Sequence, residues 1–165
     1  MTPSTLPNAT VPMDPLQRAR SFGWWSLLVW LSLGMVLEAM HGFKVGWYLD
    51  VVNDARRLML SLAHTHGTLL ALVNLAFAAT LRATAGNAAA LRRGAACLRW
   101  AGILMPVGFL GGGIQTMGAD PGFAIVLVPP GGLLLFLGVL AAARLAGDGT
   151  GAEGPSAGER KGGAR

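Results

Sequence analysis

Residues 21–43 read SFGWWSLLVWLSLGMVLEAMHGF. An α-helix rises about 1.5 Å per residue, so about 20 apolar residues cross a hydrocarbon core of roughly 30 Å. The run has that length and holds a single acid, Glu38, near its end. On insertion each Leu, Val or Phe contributes about −0.3 to −0.6 kcal/mol, against about +2.5 to +3.5 for an acid at mid-span. The aliphatic side chains outweigh one off-centre carboxyl. Arg18 and Arg20 ahead of the run resemble the start of a cleaved leader, but no small-x-small cleavage site follows. The run reads as a retained transmembrane helix.

Three more runs of similar length follow, at 58–81, 96–118 and 123–145. The third contains Pro106, and the fourth Pro129-Pro130, which are expected to kink it. Of the 165 residues, 53% are hydrophobic and 13% charged, too little polar surface to cover a soluble fold. The expectation is all-α, an integral membrane four-helix bundle forming one domain at 21–146. Flanking it, residues 1–20, with Pro3, Pro7, Pro12 and Pro15, and the Gly/Ala/Ser-rich residues 147–165 read as disordered cytoplasmic tails.

Orientation follows from the basic residues. Four spans put Arg18, Arg20, Arg82, Arg92, Arg93, Arg99 and Arg144 on one side, with Arg160, Lys161 and Arg165 beyond them. The other side has Lys44, Arg56 and Arg57. The positive-inside rule makes the first side cytoplasmic, so both termini are expected inside and the loops at 44–57 and 119–122 outside, in an inner (plasma) membrane. The basic residues form no face interleaved with aromatics, which argues against nucleic acid as a partner. Trp24, Trp25, Trp47 and Trp100 suit interfacial anchoring, whereas Trp30 lies too deep for it. Cys97 is the only cysteine, so no intramolecular disulfide forms.

With this orientation the ionisable residues inside the spans, Glu38, His41, His64 and His66, fall in the outer half of the bilayer, and Gln115 lies near the outer end of the third span. Such groups are costly in lipid and usually line an interior cavity or pair with each other. Glu38 and His41, three apart, share a helix face and can hydrogen-bond. His64 and His66, two apart, point roughly 200° apart, so only one of them can face Glu38. His41, His64 and His66 are candidate ligands for haem or a metal, and Glu38, His41 and His64 form a candidate metal set. Glu38 and Gln115 complete the polar cluster.

The function expected from these features is a non-enzymatic accessory or scaffolding subunit. The alternatives are a redox subunit binding haem or metal through the histidines, and a proton or small-solute transporter. A transporter needs an inward exit, and the inner half offers no ionisable relay. No phosphate-cradling loop, nucleophile elbow or H-E-x-x-H pair is present. Gly108-x-x-x-Gly112 in the third span marks a close helix approach, to spans of this chain or of a second copy; the partners expected are the lipid bilayer and, through this Gly-rich span, a second copy or a larger membrane complex.

Overall fold

The computed structural model describes residues 14–50, 54–81 and 88–150, the last three as backbone only. Four α-helices follow one another: α1 Pro15–Gly42, α2 Asp54–Thr80, α3 Ala88–Ile114 and α4 Val128–Thr150, the last preceded by a 3₁₀ turn at Phe123–Leu127. All four, α4 counted with its 3₁₀ turn, are long and apolar enough to cross a membrane, and the chain is a multi-pass four-helix bundle. The central pair, α2 and α3, packs together; α1 lies mainly on α2 and α4 mainly on α3. The two flanking helices therefore leave the most surface uncovered.

Helix boundaries depart from the hydropathy runs for local reasons. α1 begins at Pro15, six residues before the apolar run, so residues 15–20 are helix and not tail. Asp14 caps the helix through a side-chain bond from the Leu16 N–H (3.5 Å), and Pro15 occupies a position that needs no N–H. One turn on, Ala19 is buried against Phe77, Ala78, Leu81, Ala95, Leu98 and Leu145. At the other end α4 continues through 147–150, also expected as tail. Residues 1–13 and 151–165, the rest of the expected tails, lie outside the described residues.

α1 stops in a Schellman motif. The Val45 N–H bonds the Met40 carbonyl (2.9 Å) and the Lys44 N–H bonds the His41 carbonyl (3.1 Å). This requires a left-handed residue, and here it is Lys44 (φ 51°), not Gly42 or Gly46 beside it. The chain then folds back so that Tyr48 is buried against Leu37 and Leu60.

α3 runs from 88 to 114, displaced toward its N-terminus from the apolar run at 96–118. A tight turn ends it: Met117 and Asp120 exchange backbone bonds of 2.9 and 3.1 Å, and Gly118 takes φ 62°. The Gly122 N–H then bonds the Gly112 carbonyl (2.9 Å). Pro129-Pro130 do not kink the fourth span; they lie in the first turn of α4, where their missing N–H groups have no intrahelical acceptor to lose. Pro106, by contrast, is inside α3 and fully buried.

Candidate functional site

The tightest contact between α1 and α2 is a reciprocal one. The Trp30 ring of α1 lies on Gly67 of α2, where a Cβ would stand 2.2 Å from the indole; the His64 ring of α2 lies on Gly34 of α1, where a Cβ would stand 2.4 Å from the imidazole. Each helix thus offers one ring and one glycine, four residues apart on α1 and three apart on α2, so both pairs fit one face. Small residues opposite large ones let spanning helices approach closely enough for packing to hold them. A hydrogen bond completes the interlock: His64 Nδ1 is 2.8 Å from the Trp30 carbonyl oxygen. A carbonyl only accepts, so Nδ1 carries a proton and donates it.

Beside this interlock a cleft of about 510 Å³ opens between the two helices, lined by Leu31, Gly34, Met35, Leu37, Glu38, Tyr48, Ser61, His64 and Thr65. Glu38 and His64 therefore share one cavity. Glu38, which lines it, is exposed and has no ion pair among the described residues. Thr65 donates its hydroxyl proton to the Ser61 carbonyl (2.8 Å), an ordinary bond to the preceding helical turn.

The other sequence candidates lie elsewhere. His66 bonds the Leu62 carbonyl of its own helix (Nδ1 to O, 2.9 Å) and stacks on Phe109 of α3, with ring centroids 4.8 Å apart. It faces α3 while His64 faces α1. His41 is exposed in the last turn of α1. Seven residues beyond Gly34, it stands about 10 Å farther along the axis than the level of the His64 ring. The feasible Glu38–His41 hydrogen bond is not made among the described residues; both side chains are exposed. Gln115 is exposed beyond the end of α3, and its carbonyl, not its amide side chain, lies against Gly122. Among the described residues no three His, Cys, Asp or Glu side chains are grouped to hold a metal ion, and Glu38, His41 and His64 are not such a group.

Three residues have structural roles that the sequence reading did not assign. Arg56 donates to the Trp47 carbonyl (2.9 Å) and to Thr116 Oγ1 (3.1 Å), and its guanidinium sits 4.6 Å from the Trp47 ring centroid. It ties the 43–50 loop to the end of α3, and its place on the basic-poor side was the available signal. Asn74 is fully buried and donates from Nδ2 to the Leu70 carbonyl (2.9 Å) and across to Leu98 of α3 (3.2 Å). Tyr48, the only tyrosine, plugs the top of the α1–α2 groove.

The glycines of the third span are spent within the chain. Gly108 and Gly111 meet Ala124, Leu127 and Val128; Gly112 lies beside Pro121 and Ile125; Gly113 receives Met59 and Leu60 of α2. Exposed Trp24, Trp25, Trp47 and Trp100 contrast with Trp30, which is 7% exposed inside the bundle. Compared with protein-family models, curated proteins and solved structures, the chain finds no match.

Proposed function

We propose that this is a non-enzymatic accessory or scaffolding protein of the inner membrane, with both termini in the cytoplasm, working as part of a larger membrane assembly. The observation that carries the reading is the use made of the polar side chains within the spans. His64 reaches the Trp30 carbonyl and Asn74 the Leu98 carbonyl, each bond joining one helix to another. Groups spent in this way hold a shape; they do not move along a path. The end of the bundle bearing Ala19, Phe77, Leu81, Ala95, Leu98 and Leu145 is closed by apolar packing from all four helices, which weighs against a transport route. His64 and His66 facing opposite helices weigh against the two serving as ligands of one haem.

With the third-span glycines engaged internally, a partner has the flanking helices available. α1 exposes Trp25, Leu28, Val29, Met35 and Val36, and α4 exposes Leu133, Phe136, Leu137 and Val139. The test is native electrophoresis of membranes solubilised in a mild detergent, with the chain tagged at its C-terminus. Migration in a discrete species several times its 17.1 kDa mass, beyond the detergent contribution, is expected. A chain that runs only as monomer under the gentlest conditions contradicts the assembly role.

A further inference from the structure

The α1–α2 cleft has an uneven chemistry. Its polar lining is rich in acceptors, and the Ser61 and Tyr48 hydroxyls beside them can both donate and accept. Glu38 is an acid without an ion pair among the described residues. His64 commits its Nδ1 proton to the Trp30 carbonyl, and in the tautomer protonated at Nδ1 alone Nε2 is an acceptor. Thr65 has committed its hydroxyl proton to the Ser61 carbonyl, which leaves oxygen lone pairs. No lysine or arginine lines the cavity. The lining thus supplies hydroxyl donors but no positive charge, and a cation best offsets a carboxylate placed in a spanning segment.

We infer that the cleft binds the protonated primary amine of a membrane amphiphile, with Glu38 as charge partner and His64 and Thr65 as neutral acceptors. A primary ammonium carries three N–H donors on one compact charge, matching three acceptor groups. A dihydroxy aromatic also donates, but being neutral it leaves the carboxylate uncompensated. Leu31, Met35 and Leu37 supply the apolar part of the wall. Leu31 and Met35 are themselves exposed on the flank of α1, so the cleft opens sideways and an alkyl chain can lie along that flank. The inference rests on these helices being membrane spans and is independent of any protein partner. The amine can belong to an aminophospholipid headgroup or to a free lipophilic amine.

Native mass spectrometry of the full chain in mild detergent separates these cases. The probes are a phosphatidylethanolamine, a phosphatidylcholine with the same acyl chains, and dodecylamine. A charge-assisted hydrogen bond predicts that the ethanolamine lipid is retained at roughly tenfold lower concentration than the choline lipid. Glu38→Gln should erase that preference and Glu38→Asp should keep part of it. If ethanolamine and choline lipids bind alike while dodecylamine binds in a Glu38-dependent way, the occupant is a free lipophilic amine. If neither amine shows a preference that Glu38→Gln removes, the inference is overturned. Glu38 is exposed, so its variants should melt like the parent, and extraction only by detergent shows separately that the chain is still membrane-integrated.

Discussion

His64 Nδ1 lies 2.8 Å from the Trp30 carbonyl, and the two rings each occupy the glycine of the opposite helix, Trp30 on Gly67 and His64 on Gly34. This pairing fixes the distance between α1 and α2. Gly67→Ala places a methyl against the indole, and overpacking of this kind costs about 1–3 kcal/mol. Unfolding in detergent, followed by circular dichroism, should show the loss. Adding Trp30→Leu should recover part of it, since contacting residues couple by roughly 0.5–3 kcal/mol. Strict additivity of the two changes would mean that the rings and glycines do not interlock.

The two histidines of α2 should respond differently to an isosteric change. His64→Phe keeps a ring over Gly34 but removes an interhelical bond, a loss of about 0.6–2 kcal/mol in membranes. His66→Phe removes only a bond within its own helix and retains the ring contact with Phe109, so its unfolding midpoint should stay near that of the parent. Equal effects would contradict the separate roles.

Lys44 holds a left-handed conformation that costs a side-chain-bearing residue about 1–2 kcal/mol. Lys44→Gly should therefore stabilise the end of α1 by about 0.5–1 kcal/mol after the entropy of glycine is counted. The same unfolding assay reads it. A destabilised variant would place the stop of α1 elsewhere.

Arg56→Ala should release the 43–50 loop, because one guanidinium supplies both the Trp47 carbonyl bond and the Thr116 bond. Hydrogen exchange at residues 43–50 should quicken while α2 stays protected. Arg56→Lys should not restore protection, since a single ammonium lacks the planar fork that reaches both acceptors and stacks on Trp47. Full protection in the lysine variant would reduce the role of Arg56 to its charge.

The spans were legible because hydropathy and length are properties of the chain itself. The start of α1 was legible too, in the Asp14-Pro15 pair, but tail composition masked that local signal. α3 was displaced because a run of glycines is apolar without marking where a helix ends; the turn around Gly118 decides that. The double proline suggested a kink because its position relative to the start of α4 depends on the 3₁₀ turn, which hydropathy does not encode. Of the site, the two-residue offset of His64 and His66 was enough to send them to different neighbours. The identity of those neighbours, Trp30 with Gly34 and Phe109, depends on how α1 and α3 are rotated about α2. Gly108 and Gly112 left the partner open, a span of this chain or of a second copy, for the same reason: spacing announces a close approach but does not name the partner.

The depth of every polar group, and the opening of the cleft toward lipid in the outer half, depend on four crossings with both ends inside. A reporter that is active only in the cytoplasm, fused after Thr150 and separately inserted at Gly46, tests this most directly. Activity at Thr150 with silence at Gly46 is the predicted result. Silence at Thr150, or activity at Gly46, would contradict the topology and with it the placing of Glu38 and His64.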